Sequence, residues 1–235
     1  MSVALVGAGP GDPELITVGG LARVRAADVL VYDRLVGPEL VAEAPERALR
    51  VARDTLSQGE ANRLLVEHGR RSFVVRLKGG DPFLFGRGGE EALALAGAGV
   101  PFEVIPGVSS LTAVPAAAGI PVTHRGAASA VTAFAAHDVE ALDAEALARA
   151  PGTLVAFMGL AGLARLAERL IAAGLPAGMP AAVVACGTTA RQEVVAAPLG
   201  AIAPAAVGLP TPALVVIGDV VAVADELARA GSAAA

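Results

Sequence analysis

The sequence has little of what several common classes of protein require. Among its 235 residues there is one cysteine, Cys186, so no disulfide framework can form within the chain, and this suits a reducing cytosol. Aromatic residues make up only 3% of the chain, and the formal net charge is −5. A nucleic-acid-binding protein usually carries a broad basic face, so this charge argues against that class.

Long apolar runs are also missing. The N-terminus, MSVALVGAG, has no basic region and only a short apolar run, so we expect no signal peptide. Residues 194–218 carry no charge, but four prolines interrupt them, whereas a membrane-spanning helix needs about 20 strongly apolar residues. We therefore expect no membrane segment, and we interpret 194–218 as two buried strands joined by a loop.

Short apolar runs alternate with helical patterns along the whole chain. Strands are expected at 3–7, 29–33 and in SFVVRL, with helices between them, which is typical of a parallel α/β architecture. SQGE predicts a capping box formed by Ser57 and Glu60. The second half repeats this style, with a strand at 153–159, a helix that ends near Gly174 and three further strands. The Pro- and Gly-containing segment 115–126 divides the chain into predicted domains 1–114 and 115–235.

Two glycine-rich loops follow predicted strands. In VGAGPGDPEL, glycines at 7, 9 and 11 would let backbone N–H groups approach a ligand, although the spacing, with Pro10 inside, is not the dinucleotide fingerprint. A tight turn capped by Asp12 is the alternative. The second loop lies in RLKGGDPFLFGRGGEE, residues 76–91.

The second loop carries unusual charges beside its two glycine pairs. Lys78 is the only lysine in the chain, against seventeen arginines. Pro82 favours an extended conformation for Asp81, whose carboxylate could then face a ligand hydroxyl or amine. We favour a functional loop over the alternative, in which the glycines make an ordinary loop and the charges face water.

Other candidate residues also stand where predicted strands end. Asp33 and Arg34 follow VLVY, and ligands of open α/β sheets gather at such strand ends, so Asp33 could act as a base or could simply be a turn residue. Met158 follows TLVAF, a place where methionine more often belongs to the core. The three histidines show no metal-binding spacing, and no Walker motif or Ser-His-Asp order is present.

The order of these motifs is more specific than any one of them. GAGPGDPEL, YDRLV, RLKGGDPFLFGRGGEE, PGVSS, AGIPVTHRG, TLVAFMGL, CGTTARQ and PALVVIGDVV together closely resemble the tetrapyrrole methylase family, and within it the C-methyltransferases of uroporphyrinogen III. The resemblance implies two α/β domains with an active-site cleft between them, in a cytoplasmic homodimer. It also implies methylation of two ring carbons of uroporphyrinogen III by S-adenosyl-L-methionine. The products would be S-adenosyl-L-homocysteine and precorrin-2, on the route to sirohaem and cobalamin.

The resemblance also assigns residues. Asp33 corresponds to the acidic residue proposed as proton acceptor. The positions that correspond to cofactor contacts are Pro10, Gly79, Gly80, Asp81, Leu84, Ser109, Ser110, Met158 and Gly187. The substrate bears eight carboxylates, and the candidates to bind them are Arg34, Arg53, Arg87, His124 and Arg125, with Arg76 as a further cation.

The segment VARDTLSQGEANRLL, residues 51–65, departs from the family pattern. Several loop residues are missing, and the lysine proposed as proton donor aligns best with Arg53. An arginine, with a pKa above about 12, is a poor proton donor, so substrate positioning is the role we expect for Arg53. Two alternatives remain open: a related precorrin methyltransferase, and a catalytically weakened module that binds S-adenosyl-L-methionine or a tetrapyrrole.

Overall fold

The computed structural model describes residues 1–54 and 56–233, and the chain divides into two compact units, Met1–Ser110 and Leu111–Ala235. The sequence placed the division after residue 114 instead. That position lies inside a helix, Ser110–Ala117, which continues through Pro115. The Pro- and Gly-containing segment that suggested the boundary therefore begins within a regular element.

The first unit contains a parallel five-stranded sheet of order β3-β2-β4-β1-β5 among its described residues. The strands are β1 Ser2–Gly7, β2 Val29–Tyr32, β3 Leu49–Ala52, β4 Phe73–Lys78 and β5 Phe102–Ile105. The helices are α1 Val18–Ala26, α2 Pro38–Ala42, α3 Gln58–Gly69 and α4 Gly88–Gly97, and a single 3₁₀ turn spans Pro13–Leu15. The expected parallel architecture is confirmed for this unit.

Both faces of this sheet are covered, which explains why its strands are almost continuously apolar. One face packs against α1 and α2 through residues that include Val6, Leu30 and Leu77. The opposite face packs against α3 and α4 through Leu65 and Leu95. On that second face, apolar side chains give way to charged ones where the strands end.

The start of α3 follows from local sequence. The Ser57 side chain accepts a hydrogen bond from the Glu60 backbone N–H, and the Glu60 carboxylate accepts one from the Ser57 backbone N–H, so the predicted capping box is confirmed. The Ser57 side chain and backbone also lower the pKa of Glu60. Residue 55, in the shortened loop before this helix, lies outside the described residues.

The second unit has a different sheet, of order β6-β7-β10-β8-β9 among its described residues. The strands are β6 Val131–Ala135, β7 Thr153–Phe157, β8 Pro180–Ala185, β9 Glu193–Pro198 and β10 Ala213–Ile217. Only β6 and β7 pair in parallel; the other neighbours are antiparallel. The expectation that this half repeats the parallel arrangement of the first is therefore wrong. Buried parallel and antiparallel strands have similar apolar compositions, so the sequence did not distinguish them.

Segment 194–218 also differs from expectation. β10 is buried, but β9 lies at the edge of the sheet and its residues are exposed or half-buried. Pro198 ends β9, which an edge strand tolerates because a missing N–H costs little there. Only one of the two expected buried strands is therefore buried.

The remaining helices are α5 Ser110–Ala117, α6 Ala144–Arg149, α7 Leu163–Ala172, α8 Ile202–Ala205 and α9 Val220–Ala233. In α7, Leu163, Leu166 and Leu170 form the buried face, and Gly174 follows the C-cap with φ +113°, as predicted. Within the described part of the chain, no helix is both long enough and apolar enough to cross a membrane.

Two leucines of α4 provide a test of the core. Leu95 is fully buried, whereas Leu93, half a turn away, is 75% exposed. We expect Leu95→Ala to lower the free energy of unfolding by about 2–5 kcal/mol, because it removes buried methyl groups and leaves a cavity. Leu93→Ala should change it by less than about 0.5 kcal/mol. Equal effects of the two substitutions in urea unfolding would contradict this packing.

Candidate functional site

The carboxyl ends of the parallel strands place the predicted loops of the first unit side by side. Tyr32 pairs with Ala52 on one side and with Leu77 on the other, so Asp33, Arg53 and Lys78 leave neighbouring strands at the same edge. The loops after β1 and β5 follow next along that edge. Such an edge is where open α/β sheets bind ligands.

Backbone atoms of the loops after β1, β4 and β5 come into close contact. A Cβ on Gly7 would lie 2.6 Å from the Gly80 carbonyl oxygen, and one on Gly107 would lie 2.7 Å from the Gly7 Cα. Gly80 has φ +64° and exchanges hydrogen bonds with Gly9: Gly9 N–H donates at 3.3 Å and Gly80 N–H at 2.6 Å. The glycines thus leave half-buried backbone, with no side chain over it, at the predicted cofactor positions Gly79 and Gly80. Sequence reasoning did not assign a role to Gly107.

Asp81 holds this arrangement in place. One carboxylate oxygen accepts from Phe83 N–H at 2.8 Å, and the other accepts from Gly107 N–H at 3.1 Å. An ionised carboxylate has about four acceptor sites, so Asp81 retains capacity for a ligand. Its observed bonds tie the loop after β4 to the loop after β5.

The other predicted cofactor positions of this unit lie in or beside the same loops. Gly79 and Leu84 are half-buried on either side of Asp81, and Pro10 is half-buried in the loop after β1. The Ser110 Oγ is 3.7 Å from where a Cβ of Gly80 would be, and Ser109 directly precedes it.

Four charged side chains meet where β2 and β4 end against α4. Arg76 Nε donates to Glu91 Oε1 at 2.9 Å, and the Arg76 Nη2 donates to Asp33 Oδ1. Lys78 Nζ lies 3.0 Å from Glu91 Oε2. We call these four residues the buried charge cluster. Arg76 and Glu91 are essentially inaccessible, so the expectation that Arg76 meets the substrate is wrong.

Sequence reasoning missed Glu91 altogether. The helical spacing could have indicated its burial, since Glu91, Ala92 and Leu95 share the buried face of α4. Lys78 was expected in a ligand loop or in water, and it is 2% exposed. Burial, followed by the nearby charge of Arg76, lowers the pKa of Lys78, while Glu91 and Asp33 oppose the shift.

The other predicted cations of the first unit lie closer to solvent. Arg87 is exposed and donates to both oxygens of Glu90 at 2.8 Å, which raises the pKa of Arg87 and lowers that of Glu90. In this geometry Arg87 stabilises the first turn of the helix and does not point to a substrate. An exposed pair is worth only about 0–1 kcal/mol, however, so Arg87 can leave Glu90 for a carboxylate of the substrate at little cost. Arg34 is exposed, and its N–H donates to Asp54 at 3.1 Å.

Arg53 is half-buried and follows β3. Its Nη2 donates to Gln58 at 2.8 Å, while its Nε is enclosed without a hydrogen-bond partner. The pKa of Glu90 is lowered mainly by Arg87, burial opposes that shift, and the charges of Lys78 and then Arg53 lower the pKa further. Arg53 therefore lies near the start of α4, as a positioning role requires.

In the second unit, two predicted cofactor positions lie at one edge of the sheet. Both β7 and β8 are antiparallel to β10, so they run in the same direction and Met158 and Gly187 emerge together. Met158 is 51% exposed with φ +57°, a conformation uncommon for methionine, and so it is not the core residue that its type suggests. A Cβ on Gly187 would lie 2.9 Å from Val114 Cγ2.

His124 and Arg125 occupy the exposed loop before β6. His124 and Ala128 exchange backbone hydrogen bonds of 2.9 and 3.0 Å, and residues 123–129 line an open recess. The structure thus groups the predicted residues by unit: the glycine loops, Asp33 and three arginines in the first, and Met158, Gly187, His124 and Arg125 in the second.

The architecture and this pair of strand-end sites define the class to which the chain belongs. The sequence profile of the tetrapyrrole (corrin/porphyrin) methylases matches residues 2–203. The chain belongs to the tetrapyrrole methylase family, as its motifs predicted.

Individual relatives agree with this assignment. The chain is 45% identical to siroheme synthase 1 of Yersinia enterocolitica over 97% of its own length and 51% of that protein, and 47% identical to siroheme synthase of Sodalis glossinidius over 96% and 50%. It therefore spans about half the length of these curated relatives. Uroporphyrin-III C-methyl transferase of Thermus thermophilus, solved with S-adenyl homocysteine, superposes with a TM-score of 0.84 at 42% identity, over 95% of this chain and 100% of that one.

The pH dependence of stability tests the burial of Lys78. Because its pKa is lowered on folding, the unfolded chain binds this proton more tightly, and stability rises with pH between the folded-state pKa and the ordinary value of about 10.4. We expect the unfolding free energy of the parent, minus that of Lys78→Met, to increase as the pH rises through this alkaline window. A difference that is flat or decreases in denaturant titrations would show that Lys78 is not desolvated.

Proposed function

We propose that the chain catalyses the transfer of methyl groups from S-adenosyl-L-methionine to two ring carbons of uroporphyrinogen III, which yields precorrin-2. The observation that carries this proposal is the position of Asp33. Its carboxylate is held by Arg76 at the same sheet edge as the contacting glycine loops, and it remains 27% exposed. The likeness to the Thermus thermophilus enzyme over nearly the whole chain supports the same assignment.

The residues of the loops suit the proposed cofactor. The N–H groups of Gly9, Gly80 and Gly107 are used within the protein, but the closely approaching glycines leave backbone C=O groups, each with a second acceptor site, where side chains would otherwise stand, and the Asp81 carboxylate has unused acceptor capacity. These acceptors can recognise the hydroxyl groups of a ribose diol and an amino group. In the second unit, we assign Met158 and Gly187 to the same ligand. When bound, S-adenosyl-L-methionine supplies an electrophilic methyl group on a positively charged sulfur.

The protein contributes alignment and proton transfer. A pyrrole carbon of the substrate forms the new C–C bond as the S–CH₃ bond breaks, so the positive charge passes from sulfur to the tetrapyrrole, which then loses a proton. Asp33 is the base that we assign to this proton. The remaining task is to hold the two reactants in line, a contribution that enzymes make without further covalent chemistry.

Local cations must recognise the substrate, because the protein as a whole is negative. With a net charge of −5, long-range attraction cannot deliver a molecule that bears eight carboxylates. We assign this recognition to the candidate residues that the structure leaves accessible: Arg34, Arg53, Arg87, His124 and Arg125. By the same family resemblance, we propose that the chain acts as a homodimer in the cytoplasm.

A second candidate function is methylation of a later corrin precursor. A cobalt precorrin-4 methyltransferase superposes with a TM-score of 0.86, but at 28% identity, over 94% of this chain. The higher identity to the uroporphyrin-III enzyme favours our first assignment. Anaerobic incubation with S-adenosyl-L-methionine and uroporphyrinogen III, followed by mass analysis, tests it: we expect a gain of two methyl groups. Tight binding of S-adenosyl-L-homocysteine without any methyl gain would indicate a binding module instead.

Substitution of Asp33 tests its assigned role. Asp33→Asn keeps the shape of the side chain and removes the base, so we expect turnover to fall by about 10²-fold or more. Affinity for S-adenosyl-L-homocysteine, measured by calorimetry, should stay near that of the parent. Asp138→Asn, at an exposed position of the second unit, is the control and should keep full turnover. Unchanged turnover of Asp33→Asn, or an equal loss of cofactor affinity, would refute the role.

A further inference from the structure

The buried charge cluster is a chain of shared contacts with one accessible end. Arg76 lies between Asp33 and Glu91, and Glu91 lies between Arg76 and Lys78. The side chains of Arg76, Glu91 and Lys78 are 1%, 0% and 3% exposed, whereas that of Asp33 is 27% exposed. Asp33 is therefore the member of the cluster through which a change at Arg76, Glu91 or Lys78 would affect a bound ligand.

Stability alone does not account for such a cluster. Taking charges out of water costs several kcal/mol per ion, and well-packed apolar residues of similar volume often stabilise a fold equally well or better. The same face of the sheet is apolar everywhere else in its core, through Val29, Val31 and Val74. The charges lie toward the carboxyl ends of β2 and β4, beside the residue that faces the ligand edge.

We propose that Glu91 is a positioning residue for Asp33, acting through Arg76, and that Lys78 balances Glu91 and thereby sets the charge that Asp33 experiences. This inference rests on the proposed function, in which Asp33 accepts a proton. Glu91 occupies the Arg76 Nε, so that the Nη2 is directed to Asp33. Without Glu91, the guanidinium keeps its Nη1 hydrogen bond to the Leu77 carbonyl at 3.1 Å but has one anion left, so that it can engage Asp33 in a different geometry.

The charges of the cluster sum to zero when Asp33 is ionised and Lys78 is protonated. Loss of Glu91 leaves two cations facing Asp33, and loss of Lys78 leaves an excess of anions. The charged groups around Asp33 are Arg76 and Lys78 from β4, Glu91 with the Arg87–Glu90 pair from α4, and Arg34, Arg53 and Asp54 from the adjoining loops.

The two inner substitutions should shift the pH–rate profile in opposite directions. For Glu91→Gln, we expect the acid limb of the kcat profile to move to lower pH by about half a unit or more, since added positive potential favours the carboxylate. For Lys78→Met, we expect a shift to higher pH. The double variant Lys78→Met/Glu91→Gln removes one charge of each sign and should bring the limb back toward the parent.

We expect the Glu91 substitution to change turnover more than substrate binding. We expect Glu91→Gln to lower kcat by about tenfold or more through misplacement of the base, while KM for both substrates changes little. Glu103→Gln is the matched control, because it removes an anion from another arginine pair of the same unit, with Arg23. It should keep the kcat and the profile of the parent. Loss of thermal stability in Glu91→Gln with an unshifted profile and unchanged kcat would overturn the proposal.

The single lysine allows a test that needs no turnover. In protein labelled with ¹⁵N-lysine, the Nζ signal comes from Lys78 alone. Because the charge of Glu91, 3.0 Å from the Lys78 Nζ, raises the pKa of Lys78, Glu91→Gln should lower that pKa further below the parent value. An unchanged titration would show that Lys78 and Glu91 are not coupled, and would overturn the proposal. If the parent adds no methyl groups, the proposed function fails, while this titration still reports on the cluster itself.

Discussion

Burial of three charges, with the partly exposed Asp33 beside them, at the end of one parallel sheet constrains the loops of the first unit. The contacts of Glu91 with Arg76 and Lys78 attach α4 to the end of β4, so the loop between them must begin and end at fixed points. That loop folds closely on itself: a Cβ on Gly86 would lie 2.9 Å from the Pro82 carbonyl oxygen and 3.4 Å from Lys78 Cε. Gly86 is therefore explained by the path of the loop over a buried lysine, as well as by any ligand.

The same constraint brings the remaining loops into contact. Asp81 leaves β4 immediately beyond the cluster and accepts a hydrogen bond from Gly107, which follows β5. Gly80 in turn bonds to Gly9, which follows β1. Backbone from three strand ends is thus held together, beside the one cluster member that reaches solvent. In the proposed reaction, this arrangement would present the cofactor and the base at one edge.

Local patterns in the sequence were sufficient for part of this account. The capping box of Ser57 and Glu60, the buried face of α7 and the position of the glycine loops after strands all depend on residues near each other in sequence, and the structure agrees with each. The antiparallel second sheet could not be predicted, because strand direction depends on distant pairing. Burial of Arg76 could not be predicted either, since its partners lie 15 and 43 residues away.

Arg53 shows how the structure adds to a motif comparison. From the sequence, Arg53 was expected to correspond to a lysine of the family pattern, which gave a reason only to doubt an acid role. The structure adds that its Nη2 bonds to Gln58 and that its charge acts on Glu90, at the start of the helix that carries Glu91. A cation held there is suited to orienting an anionic substrate, with no requirement to donate a proton.

A double-mutant cycle between Asp33 and Glu91 tests the central claim most directly. The two carboxylates are linked only through Arg76 in this account, and each single variant, Asp33→Asn or Glu91→Gln, leaves the guanidinium one anion. The double variant leaves the Arg76 guanidinium with neither carboxylate. The double variant's loss of unfolding free energy should therefore exceed the sum of the two single losses by about 0.5–3 kcal/mol. Additive losses in urea unfolding would contradict the claim that the cluster acts as one unit.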